Sequence, residues 1–194
     1  MKGIITILLI SFFPLLTFSQ NQFGIIAGIN NSTLSDGFLK HVPIQKSFGL
    51  HLGGLYQHEL NNNISFRPKL MLSLQGDREK SNDSYLSTAI IDYKLGYINI
   101  PLDFKFFSKP YVIVGPQIGF LISTKKEDRD FGKIENGFDY GLNFGVGYDI
   151  NDFFVEFNMY QGITKLIHIE DSQFNTSIDP TNTVLQLSIG YYFK

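Results

Sequence analysis

Segment after segment of this chain alternates apolar with polar residues, and the connections between segments are alternately very short and long. Long connections fall at about 33–46, 77–90, 124–137 and 163–182, and tight ones at about 60–62, 107–110 and 150–152. Alternation with a period of two marks a β-strand whose two faces meet different surroundings. An antiparallel up-and-down sheet that crosses a bilayer needs this asymmetry, with short turns at one rim and long loops at the other.

Eight segments carry the pattern. In the last, Leu185, Leu187, Ile189, Tyr191 and Phe193 share one face, opposite Gln186, Ser188, Gly190 and Tyr192. The seventh sets Phe153, Val155, Phe157 and Met159 against Glu156, Asn158 and Tyr160. The sixth opposes Tyr140, Leu142, Phe144, Val146, Tyr148 and Ile150 to Asp139, Gly141, Asn143, Gly145, Gly147 and Asp149. The third and fourth are equally regular, with Arg67 and Lys69, then Asp103 and Lys105, on their polar faces. The first (about 22–31), second (about 47–59) and fifth (about 110–123) follow the rule more loosely.

Alternation alone does not distinguish a soluble barrel, with its apolar face inward, from a membrane barrel, with its apolar face outward. Here the apolar face is bulky and almost unbroken, while the other combines charges with many glycines. Small and polar residues suit a narrow lumen; bulky apolar ones suit lipid. Phe23, Tyr56, Phe66, Phe106, Tyr148, Phe153, Tyr191 and Phe193 all fall near the short-turn ends, where an interfacial aromatic girdle belongs. The expected fold is therefore all-β, an eight-stranded antiparallel up-and-down transmembrane β-barrel. Both termini lie at the short-turn rim, and in a bacterial outer membrane that rim faces the periplasm.

The first residues agree. Lys2 precedes an apolar run from Ile4 to Phe18, with Thr17 and Ser19 as small residues at a cleavage site. This reads as a signal peptide over 1–19, leaving a barrel domain over 20–194. No later stretch is long and apolar enough for a membrane helix. The chain has no cysteine, so an exported domain of this size needs another source of stability, which a closed hydrogen-bonded ring in lipid supplies. Tryptophan is absent too, and 19 Phe and 10 Tyr must build any aromatic belt. A formal charge of −2 gives no electrostatic case for nucleic acid. Pro68, Pro101 and Pro116 fall inside strands, where each removes a ladder donor, so bulges or local breaks are expected there.

Together "FGIIAGINNSTL", "ISFRPKLMLSLQG", "YINIPLDFKF", "YVIVGPQIGFLIS", "FDYGLNFGVGYDI", "FFVEFNMYQGITKL" and "LQLSIGYYF" cover nearly the whole mature chain. In that order the segments resemble the outer-membrane β-barrel family of Bacteroidetes that includes the PorT-like proteins. The resemblance implies an outer-membrane location and a small barrel, and it brings no catalytic residues. PorT-like members are linked to type IX secretion and gliding, so an accessory role in secretion is one reading the resemblance opens.

The residues themselves offer one constellation of interest: Arg67, Lys69, Asp103, Lys105 and Glu156 point into the lumen, with Glu59 near the periplasmic end as a further member. Inward charges in a narrow barrel must pair, because an isolated buried charge is very costly. The expected role is a salt-bridge plug that fixes register; the other reading is a gate or narrow ion path. His41 and His168 fall in different loops, and His51 and His58 on opposite faces of one strand. No metal-ligand spacing or nucleophile motif joins them, and neither cofactor nor enzyme activity is expected. The loop "KKEDRDFGKIENG" mixes both signs of charge and reads first as a solvated surface loop; the alternative is contact with lipopolysaccharide through Lys125, Lys126, Arg129 and Lys133. The fourth loop, with Ile167, Phe174 and Ile178, is long enough to fold over the barrel mouth, and long loops commonly carry binding functions. The expected partners are outer-membrane lipid, lipopolysaccharide and envelope or secretion proteins, with the barrel itself a monomer. The leading function is a structural or interaction role through the outer loops, and a small channel is the remaining alternative.

Overall fold

The computed structural model describes residues 21–35, 47–80, 90–126, 129–130, 137–164, 169–171, 176–178 and 181–193. The expected leader over 1–19 lies outside them, as do His41, His168, Ile167, Phe174 and Lys133.

Eight strands make the barrel: β1 (Asn21–Ser35), β2 (Ser47–Asn61), β3 (Ile64–Lys80), β4 (Ile90–Phe106), β5 (Tyr111–Lys126), β6 (Phe138–Ile150), β7 (Phe153–Gly162) and β8 (Thr181–Phe193). Each pairs antiparallel with its neighbours in the chain, and β1 pairs with β8 from Phe23–Phe193 to Ser35–Thr181. The ring is closed, so the backbone groups of every strand find partners without water. Beyond it, Arg129–Asp130 adds to the end of β5, and Ile169–Asp171 pairs with Thr176–Ile178 as a separate ribbon. Most of the eight strands exceed the roughly 9–11 residues that cross a bilayer. In β3 and β4, which reach Lys80 and begin at Ile90, the excess lies at the long-loop rim and narrows the loop expected over 77–90.

The faces divide as their chemistry requires. Arg67, Asp103 and Glu156 are fully buried, whereas Leu187 and Phe157 on the other face are 49% and 48% exposed. In a ring this narrow, the inside is closed from solvent and the outside carries the apolar belt, the reverse of a soluble barrel. At the short-turn rim the outward aromatics pack against one another, Phe23 against Tyr56 at 5.1 Å and Phe153 against Tyr191 at 5.0 Å between ring centroids. A second group, Phe120, Phe138 and Tyr140, lies toward the long-loop rim. Two aromatic levels bracket the belt, as in a membrane-spanning barrel.

Of the two irregularities expected at the prolines, the structure has local breaks. Ladder pairing lapses beside them: β2–β3 passes from Leu55–Lys69 to His58–Phe66, and β4–β5 from Pro101–Gln117 to Phe104–Val114. The register is the same on either side of each lapse, so these are local breaks and not bulges. The register shifts lie elsewhere, between Glu59 and Asn61 and between Gly96 and Tyr97. At the second, Ile122 is the extra residue on β5. The short turns close tightly. Asn151 has φ 57°, a left-handed conformation that asparagine tolerates, and the Phe107 N–H donates to the Asn63 carbonyl at 2.8 Å, joining two neighbouring turns.

Candidate functional site

The lumen is where the sequence concentrates its charge. Inward positions of β3 and β4 supply Arg67, Lys69, Asp103 and Lys105, and β7 supplies Glu156. Arg67 Nη1 meets Glu156 Oε1 from the opposite wall. Lys69 Nζ lies 2.8 Å from Glu156 Oε2 and 3.0 Å from Asp103 Oδ2, so one ammonium joins two carboxylates. Lys105 does not enter this group; it pairs with Asp149 of β6 at 2.5 Å, nearer the short-turn rim. Glu59 stands exposed at that rim and takes part in none of these pairs.

Neutral partners complete the cluster. The Tyr111 hydroxyl donates to Glu156 Oε1 at 2.9 Å, the Asn158 amide to Glu156 Oε2 at 3.2 Å, and the Asn143 amide to Asp103 Oδ1 at 2.9 Å. Aromatic faces surround the guanidinium: its Cζ lies 4.3 Å from the centroid of Phe154 and 5.5 Å from that of Tyr192. Phe154 also belongs to a buried apolar group with Ile26, Leu55, Met71 and Tyr192 inside the barrel. Gly190 leaves the space its ring occupies, since a Cβ there would overlap it. Arg67, Lys69 and Lys105 are thus balanced by Asp103, Glu156 and Asp149 within a packed, aromatic-lined section. Such a section fixes register and closes the lumen by filling it.

A second polar layer lies toward the long-loop rim. His51 Nδ1 lies 2.6 Å from Asn30 Oδ1, and its Nε2 lies 2.8 Å from Ser188 Oγ. An accepting Asn30 oxygen puts the ring proton on Nδ1 and leaves Nε2 to accept from the serine. Gly28 is the register partner of both His51 and Ser188, and the imidazole reaches the serine by passing over it. The Asn30 amide donates to Ser73 Oγ at 2.8 Å, and Gln186 donates to Asn30 Oδ1 at 3.2 Å. Above them the Asn182 amide donates to Gln75 Oε1 at 2.6 Å, again across the barrel.

Sequence reasoning gives His51 no partners and does not single out Asp149, Tyr111, Asn30 or Ser188. Asp149 and Ser188 are legible as polar-face residues, but their partners sit on strands distant in the chain. Among the described residues, no group of histidine and acidic side chains is arranged to hold a metal ion.

Among curated proteins, none matches the chain in sequence. Among solved structures, it is similar to Neisserial surface protein A, with a TM-score of 0.52 at 14% identity over 90% of this chain and 98% of that one. It is also similar to a major outer membrane protein of Thermus thermophilus, with a TM-score of 0.49 at 13% identity over 90% and 100% of the two chains. The attachment invasion locus protein Ail of Yersinia pestis follows with a TM-score of 0.42 at 18% identity, again over 90% and 100%. The family model described as the outer membrane protein beta-barrel domain matches residues 18–168, most of the chain. With the closed eight-stranded ring and its outward apolar belt, that match means that the chain belongs to the outer membrane protein beta-barrel domain family and resides in the outer membrane.

Proposed function

We propose that the protein is a sealed, non-enzymatic outer-membrane barrel that acts as a structural or interaction protein through its long outer loops. The observation that carries this reading is the ion pair of Arg67 with Glu156, which bridges opposite walls in a section packed with Phe154, Tyr111 and Tyr192. A charge-balanced, side-chain-filled lumen offers an ion no continuous aqueous route and no ring of one sign to select it. The loops are then the free surface for envelope or secretion partners and for lipopolysaccharide, with the barrel a monomeric anchor. Planar-bilayer recording tests the sealed lumen: the purified barrel gives no steady conductance. Selective conductance that changes in Glu156→Gln overturns it. Crosslinking from the outer loops in intact cells tests the interaction role and identifies what they touch.

The resemblance to PorT-like proteins supports one specific form of that role, as an accessory of type IX secretion, and copurification of secretion-machine subunits is its test. A second reading is favoured by the chain Ser188–His51–Asn30, which has the order and spacing of nucleophile, base and orienting residue. Against it, Ser188 and His51 are buried inside the lumen, and the network reads more simply as a satisfied structural layer. Acyl loss from lipid A or phospholipid, abolished by Ser188→Ala, would establish the hydrolase instead.

A further inference from the structure

The register shift between Gly96 and Tyr97 changes which way the upper end of β5 faces. Below it, inward Tyr97 pairs with Leu121; above it, Gly96 pairs with Ser123, inward Leu95 with Thr124, and Lys94 with Lys125. Continued without interruption from Tyr111 and Ile113, the alternation of β5 would aim Lys125 into the lumen. The additional residue, Ile122, turns it outward. Re-aiming a side chain in this way is a recurrent use of a bulge. Lys125 and Lys94 are both exposed, directly opposite one another at the long-loop end of the lipid-facing wall. Asp130 is the register partner of Lys125 on its other side.

Two ammonium groups in directly opposed register positions offer one phosphate a pair of charge-assisted contacts. A cavity of about 460 Å³ adjoins these two, bounded by Lys94, Lys125, Ser123, Phe48, Leu50 and Leu74. It shares Leu50, Leu74 and Gly96 with a second, almost wholly apolar groove of about 710 Å³ that continues along Leu52, Leu72 and Ile122. The two form one amphiphilic depression on the barrel wall, cationic at the outer rim and greasy toward the middle of the belt. Lys94 lies twelve residues along β4 from the short-turn aromatic Phe106, just past the roughly 9–11 residues that cross the hydrocarbon, which is where headgroups meet a barrel wall.

The geometry points to a binding site for one phosphate-bearing lipid of the outer leaflet, its phosphate between Lys94 and Lys125 and an acyl chain along Leu50, Leu74 and Leu72. The Ser123 hydroxyl is placed to donate to the same phosphate. Lysine suits this task as a compact point charge, and hydrocarbon in the groove adds apolar burial that a free anion cannot supply. The depression also reaches lumen-facing Gln75 and Leu95, but its two lysines are exposed on the outer face, away from the Arg67–Glu156 section that seals the lumen.

Native mass spectrometry of the full chain released from phosphatidylcholine nanodiscs doped with lipid A tests it. The wild-type barrel is expected to retain one lipid A and to discriminate against the dephosphorylated form. Lys94→Gln/Lys125→Gln lowers retention by about thirtyfold, the loss of two cations at a membrane surface. Lys109→Gln at the opposite rim leaves retention unchanged, and inorganic phosphate does not compete. Equal retention by wild type and double variant overturns the site, as does equal loss in Lys109→Gln. Equal retention of the dephosphorylated lipid removes the phosphate, and competition by inorganic phosphate removes the lipid. Bilayer conductance of the double variant stays as in wild type, so failure here and failure of the sealed lumen are read separately.

Discussion

Arg67 and Glu156 meet across the full width of the barrel, because β3 and β7 stand four places apart in a ring of eight. The pair is fully buried, and Lys69, Tyr111 and Asn158 complete the shell of the carboxylate. Its attraction offsets a large desolvation penalty, so its contribution is seen in what happens when one partner is left alone.

Removing one partner is expected to be worse than removing both. Arg67→Met alone leaves Glu156 buried beside a single ammonium, at a cost of about 3–5 kcal/mol. Arg67→Met with Glu156→Leu recovers much of that loss. Urea unfolding in detergent micelles, read as a double-mutant cycle, measures the coupling.

Gly190 is a packing determinant for Phe154. Gly190→Ala forces the ring off the guanidinium, at a cost of about 1–3 kcal/mol typical of overpacking. Phe154→Leu in the same chain relieves the overlap. Loss of heat-modifiable migration at a lower temperature, restored in the double variant, checks this.

Charge tolerance should follow depth on the outer wall. Leu187→Arg, in mid-belt, costs about 2–4 kcal/mol, whereas Phe193→Arg at the short-turn rim costs about 0–1 kcal/mol. Folding yield into phospholipid vesicles of defined thickness gives the two values. Similar costs at both positions would mean that the belt is misplaced.

Ser188→Ala removes the donor to His51 and costs about 1–3 kcal/mol through the layer it leaves unpaired. Lipid composition of cells expressing the variant is expected to match wild type. Thermal unfolding and acyl-chain analysis separate the structural role from a catalytic one.

The alternation of β6, β7 and β8 is enough to read the ring, because inward Asn143, Asn158 and Gln186 each lie one residue from an outward Leu or Phe. The inward positions of Arg67, Asp103 and Glu156 follow from the same phase. Which charge meets which is not legible, since partners across a lumen depend on strand tilt and stagger and not on chain distance. Lys105 therefore finds Asp149, and Glu59 stays at the rim. Inward Phe154, Ile26 and Leu55 also escape notice, because an apolar residue on the polar face looks like a lapse in the pattern until Gly190 is seen to accommodate its neighbour. Lys125 reads as a loop residue because one additional residue in β5 resets the phase, and no local signal marks it.

The span of the Arg67–Glu156 contact constrains how this protein reaches its membrane. The two residues are 89 positions apart, so the first four strands carry the guanidinium before its counter-charge has been delivered. A half-sheet resting in hydrocarbon would hold inward Arg67, Lys69 and Lys105 against, among the described residues, the one inward carboxylate of Asp103, the register partner of Arg67. Entry of the wall into the bilayer must therefore wait for its last members, and the chain goes in as a whole or stays out.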